Sequence, residues 1–308
     1  MSDYYGLPTR TLSNAFIQLD YLAKAGPRLV RLVALQSSQP RNLLAETPGV
    51  SWPTPYGDFF LHGGHRLWHA PESAPRSSIP DTGGLEVEEC AGGVRLTQPT
   101  ERATGIAKSM EIRLCPDRAA LTLVHTLRND NLWAVELAPW AITQLALGGM
   151  AVLPQPALSA DNGGLQPNRH LVVWPYTSLR DPRLELYDDL WLMYGRGQLP
   201  PCKIGGENRL GWVAYALGDV ALIRRFRPQL HLPHADRGCN VEVYVNDMSL
   251  ELEVLGPLRR LQPGETIRHV EYWEVHAGLN AEASVGGARQ MVETLARHLA
   301  PLTEADVT

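Results

Sequence analysis

Runs of like charge are missing from this chain. Its 28 Lys and Arg face 33 Asp and Glu, and the formal net charge is −5. Nucleic acid is therefore not an expected partner, because its binders usually carry a basic face for the phosphates. Long apolar runs are missing too. The stretch VELAPWAITQLALGGMAVLP is broken by Glu136, Pro139, Gln144 and a glycine pair, so no membrane span is expected. The start, MSDYYGLPTRTLSNAF, lacks a charged segment followed by an apolar block, and the expected location is cytoplasmic. Cysteine is scarce. Cys90, Cys115, Cys202 and Cys239 lie far apart with no CxxC, which argues against a zinc finger or a disulfide framework. GxSxG, HExxH, a P-loop and a strand-borne GxGxxG are all absent, and no cofactor is expected.

Strand patterns are abundant. LTLVHTLRN sets Leu121, Leu123, His125 and Leu127 against Thr122, Val124, Thr126 and Arg128. VEVYVN puts Val241, Val243 and Val245 on one face, and LELEVLG puts Leu250, Leu252 and Val254 opposite Glu251 and Glu253. Each is a period-2 strand pattern. Pro263-Gly264 suits the centre of a type II turn, so LELEVLGPLRRLQPGETIRHVEYWEVH predicts two antiparallel strands around that turn. Helical spacing is clear only near the end, where Ala288, Met291, Val292, Leu295 and Leu299 share a face between Gly286-Gly287 and Pro301. The sequence predicts an all-β fold over residues 1–308 as a single domain, a large antiparallel β-sandwich with few short helices and a C-terminal helix.

Polar groups concentrate in GGHRLWHAPE, Gly63 to Glu72. His65 and Arg66 supply donors for a ligand and Trp68 an apolar platform. The alternative is a polar loop pinned by an Arg66–Glu72 ion pair. The Pro- and Ser-rich stretch at 70–84 that follows reads as a surface loop able to line a site. Glu251 and Glu253 share a strand face and read either as a solvated surface or as a base aimed into a concave sheet. Trp140, Trp174 and Tyr176 stand beside polar groups and suit either the core or the apolar face of a sugar. His231, His234 and Asp236 in HLPHADRGC are metal-ligand types, but a three-residue offset on a strand points the two rings apart, so no metal is expected there.

Taken in order, AGPRLVRL, NLLAE, GGHRLWHAPE, LAPWAITQ, GGMAVLP, PNRHLVVWPYTSLRDPR, GWVAYALGDVALIRRF, HADRGCNVEVYVN and LELEVLGPLRRLQPGETIRHVEYWEV resemble the galactose mutarotase-like (aldose 1-epimerase-like) superfamily. The resemblance spans nearly the whole chain and rests on the order of the segments. It implies a large twisted β-sandwich, or supersandwich, with a sugar site in a concave face. It implies that Glu253, in LEV, matches the general base, and that His65-Arg66 matches a sugar-binding Asn-Arg pair. Lys203, in CKIGG, stands near the place of a sugar-binding Asp. The family's mid-chain His is absent from APWAITQ, which leaves His65, His69 or Lys203 as the acid. The implied site combines Glu253 and His65 as catalytic groups with His65, Arg66, Trp140, Lys203 and Glu251 as sugar contacts. The expected partner is a small carbohydrate, and Lys203, Arg169 and Arg66 would suit an anionic one. The alternative function is sugar binding without catalysis. A lyase- or hydrolase-associated β-sandwich is the third class considered.

Overall fold

The computed structural model describes residues 2–156, 161–279 and 282–307. Two large sheets, of 11 and 10 strands, dominate them. The first runs in the order Ser2–Tyr4, Leu7–Ser13, Ile17–Leu22, Arg28–Ala34, His65–Ala70, Val135–Leu145, Leu250–Leu255, Val241–Val245, Cys202–Gly206 and Leu171–Val173. Its eleventh strand, Arg259–Leu261, pairs with Val135–Leu137. The second sheet centres on Thr266–Ala277, flanked by Val220–Phe226 and Ala120–Asn129. Neighbouring strands are antiparallel in both sheets. A separate hairpin pairs Glu46–Thr54 with Gly57–Gly63.

The period-2 patterns explain how the sheets meet. Val241, Val243, Val245, Leu250, Leu252 and Val254 face Leu121, Leu123, Leu222, Trp273 and Val275 in one buried cluster. Each such aliphatic side chain contributes about 1.5–3 kcal/mol on burial. The alternate residues of the first sheet, Glu242, Glu251 and Glu253 among them, are thereby turned to its other face.

One expectation about local structure is corrected. The Pro263-Gly264 turn forms, with Glu265 N–H donating to the Gln262 carbonyl at 3.0 Å and Gly264 at φ +82°. The strands around it do not pair as a hairpin. Leu250–Leu255 belongs to the first sheet and Thr266–Ala277 to the second, so the connection crosses between sheets. The C-terminal α-helix spans Val285–Thr294, capped by the Ser284 side chain, and a 3₁₀ turn follows at Ala296–His298. It buries Ala288 and Met291 against Tyr194, Trp212 and Ile223 on the outer face of the second sheet. No helix among the described residues is long and apolar enough to cross a membrane.

Candidate functional site

GGHRLWHAPE is a strand at its centre, not a polar loop. Gly63 and Gly64 take φ +83° and +72°, a conformation that favours glycine. A Cβ on Gly64 would lie 1.8 Å from the Leu29 carbonyl oxygen. The glycines carry the chain out of the hairpin and into the buried strand His65–Ala70. Alternation then separates its side chains. Arg66 and Trp68 point to the outer face, where both line a cavity, while His65, Leu67 and His69 point between the sheets.

That outer face is a grid of cross-strand neighbours. Trp68 stands opposite Trp140, and Arg66 opposite Ile142. Ile142 is next to Glu253 and Gln144 next to Glu251. Glu253 is next to Glu242, Glu251 next to Tyr244, and Tyr244 next to Lys203. Gly205 allows this crowding, since a Cβ there would meet Cys239 Sγ at 2.8 Å and Glu242 Cγ at 3.0 Å. Above the grid is a cavity of about 590 Å³ lined by Arg66, Trp68, Glu72, Ser78, Trp140, Tyr176, Lys203, Tyr244, Glu251 and Glu253, with Trp52 and Leu61 from the hairpin. The 70–84 segment thus lines the site through Glu72 and Ser78. A cavity of about 630 Å³ lies on the outer face of the second sheet, but it lacks this floor of tryptophans and paired carboxylates.

Hydrogen bonds order the polar groups. Glu253 Oε2 accepts from Trp140 Nε1 at 2.6 Å and from Lys203 Nζ at 3.0 Å. Both bonds end on Oε2, so Oε1 is the oxygen able to turn to a ligand. Lys203 Nζ also meets Glu242 Oε2 at 2.6 Å and lies 4.7 Å from the Trp174 ring centroid. Arg66 Nη1 donates to Gln144 Oε1 at 2.9 Å, and Gln144 Nε2 donates to Glu251 Oε1 at 2.7 Å. The Arg66 guanidinium stacks over Trp68, 4.5 Å from the centroid.

Burial and charge divide the ionisable groups. Burial pulls Arg66 down to about 10, against the attraction of Glu251. Burial also opposes the charge on Lys203, but Glu253 and Glu242 outweigh it and hold the amine well above its usual range. Glu251 is raised, by burial first, with Arg66 opposing and the Glu253 charge adding. Glu242 is raised well above the carboxylate range by burial, despite Lys203.

Of the residues singled out in the sequence, Arg66, Trp140, Lys203, Glu251 and Glu253 share this pocket. His65 does not, which corrects its expected place at the sugar. Its ring is fully buried between the sheets, with Nδ1 2.8 Å from Thr143 Oγ1 and Nε2 2.8 Å from His125 Nε2. His69 also faces inward, toward Glu101. Arg169 is held by Asp188 and is not among the groups lining the pocket. His231 is exposed, and His234 Nδ1 is turned to the Leu232 carbonyl at 3.0 Å. Sequence reasoning missed Gln144, Glu242 and Tyr244. The signal was present: Gln144 is four residues from Trp140 on one strand, and Glu242 and Tyr244 alternate with the core valines.

No family model matches the chain, and no curated protein matches it in sequence. Solved structures do match. A TPR-domain containing protein from Parabacteroides distasonis superposes with a TM-score of 0.58 at 12% identity, over 91% of this chain and 49% of that one. The chain therefore spans about half the length of that protein. A Salmonella typhimurium protein named a "putative mutarotase" gives 0.52 at 11% identity, over 88% and 91% of the two chains. A Klebsiella pneumoniae protein named a "putative aldose 1-epimerase" gives 0.50 at 11% identity, over 95% and 84%. At these identities the likeness is one of fold: the chain shares its large antiparallel β-sandwich with these proteins.

Proposed function

We propose that this galactose mutarotase-like sandwich is an aldose 1-epimerase-like protein that interconverts the anomers of a sugar or sugar derivative, with Glu253 as base and Glu251 as acid. The observation that carries this reading is the pair itself. Two carboxyl groups share one strand face under a tryptophan-lined cavity, and burial holds the Glu251 carboxyl toward its protonated form. Trp140 and Lys203 fix one oxygen of Glu253. The other removes the proton from the anomeric hydroxyl. Glu251 gives its proton to the ring oxygen as the C1–O5 bond breaks. The aldehyde turns about the C1–C2 bond, and the same two protons return on closure, so the protein ends unchanged. A carboxylic acid with a raised pKa suits this exchange near neutral pH better than Lys203, whose amine is held well above its usual range. Gln144 and Arg66 orient Glu251, and Trp68 supplies apolar surface for the sugar ring.

Fresh α-anomers of several aldoses, followed by NMR with the spontaneous rate subtracted, test this reading. Wild-type protein should accelerate at least one. Glu253→Gln and Glu251→Gln should each lower that acceleration by roughly a hundredfold or more, while Arg66→Ala should mainly weaken sugar binding. Full activity in Glu253→Gln would defeat the assignment of the base. The second reading, sugar binding without catalysis, draws on the two bonds that already engage Glu253 Oε2. Calorimetric binding without acceleration of any aldose would favour it.

A further inference from the structure

A second group of chemically competent side chains lies on the outer face of the second sheet, and the sugar reading makes no use of it. Glu274 and His276 are two residues apart on the strand Thr266–Ala277, so both project from the same face. His298, from the 3₁₀ turn Ala296–His298, folds back over them. The three offer ligand atoms that all lie within 4.8 Å of one another. His298 Nδ1 is 3.1 Å from Glu274 Oε1, and the two imidazole rings are 4.7 Å apart between centroids.

Two buried atoms of this group lack a hydrogen-bond partner, His276 Nε2 and Glu274 Oε2. A buried polar atom left in this state is costly. Arg225 does not satisfy the carboxylate. Its Nη1 stays 3.6 Å from Glu274 Oε2, while its Nε donates to the Ala300 carbonyl at 2.6 Å. The group also borders the cavity of about 630 Å³, which leaves a side open for a further ligand such as water.

We propose that Glu274, His276 and His298 form a site for a first-row divalent metal ion, with zinc as the best match. Two imidazoles and one carboxylate with an open position are a ligand set that zinc accepts at bond lengths of roughly 2.0–2.2 Å. Ligand atoms around a tetrahedral ion at those lengths sit roughly 3.3 Å apart, so small side-chain rotations bring this group to bonding distance. Binding replaces the contact between His298 Nδ1 and Glu274 Oε1 and gives the unpartnered His276 nitrogen a partner. The ion ties the C-terminal segment to the sheet, so metal binding and the attachment of that segment are linked.

Full-length protein stripped with chelator and titrated calorimetrically with zinc chloride tests the site. One ion per chain should bind with micromolar or tighter affinity, and the thermal midpoint should rise with zinc concentration. His276→Gln and His298→Gln should each weaken binding at least tenfold. His231→Gln/His234→Gln should leave it unchanged. Circular dichroism of each variant confirms folding, and His298 is the more tolerant position because it sits at the surface of the cavity. Absence of saturable binding at 100 μM zinc would overturn the proposal. So would stoichiometric binding that survives loss of both His276 and His298.

Discussion

Lys203 Nζ lies between Glu242 and Glu253, at 2.6 and 3.0 Å, in a place that a sequence reading assigned to sugar contact. Its geometry gives it another task as well. It holds Glu253 in one orientation and gives that buried carboxylate a cationic partner. Replacing one partner of a buried ionic group costs about 3–5 kcal/mol, since the others stay behind unpaired. Lys203→Met should therefore lower the urea midpoint markedly. Lys203→Met/Glu242→Gln should recover part of the loss, because it removes the buried Glu242 carboxyl that the lysine also contacts and leaves only Glu253 without its partner. Equal stability of the single and double variants, measured by equilibrium unfolding, would show that the triad is not coupled.

Single glycines set the path of whole elements. Gly64 at φ +72° leaves no room for a Cβ beside the Leu29 carbonyl, so Gly64→Ala must push the strand His65–Ala70 away from Arg28–Ala34. That strand carries Arg66 and Trp68, and the displacement reaches the pocket. Gly264 has a similar φ of +82° but open space around it. Gly264→Ala should cost only the conformational term of about 1–2 kcal/mol, whereas Gly64→Ala should exceed it and also weaken ligand binding. Thermal unfolding of the two variants in parallel decides this, and equal losses would remove the steric argument.

Across the whole molecule, the sheets are joined by a polar chain as well as by apolar packing. His125 Nδ1 is 3.1 Å from the His269 carbonyl and donates to it, so its Nε2 accepts from His65 Nε2. His65 Nδ1 then accepts from the Thr143 hydroxyl. The chain works only with both imidazoles neutral. Burial depresses both pKa values, that of His125 to about 4 and that of His65 well below its usual range. The unfolded chain takes up protons below about pH 6.5 where the folded one does not. This contribution is therefore whole above that pH and falls as pH drops toward 4, with a limiting slope of about 1.4 kcal/mol per pH unit for each histidine. Urea unfolding between pH 7.5 and 4.5 should show the decline, and His125→Gln should flatten it. A wild-type midpoint independent of pH in that window would contradict the tautomer chain.

Alternation by itself determined much of this protein. Because successive strand residues point to opposite faces, the placement of Leu250, Leu252 and Val254 opposite Glu251 and Glu253 was legible in five residues, and the all-β class in the repetition of such patterns along the chain. The short range of that rule also marks its limit. It says which side chains share a face, but not which sheet a strand joins. The stretch around Pro263-Gly264 reads as a hairpin, yet hydrogen bonding to partners more than a hundred residues away draws its two strands into different sheets. His65 and Arg66 are adjacent in sequence and equally suited to a ligand. Only the stacking of the second sheet on one face of the first sends His65 into the core and leaves Arg66 to the pocket. The meeting of Lys203, Glu242 and Glu253, and of His298 with Glu274, depends on contacts between distant segments. Those contacts are set by packing of the whole chain, which no local pattern encodes.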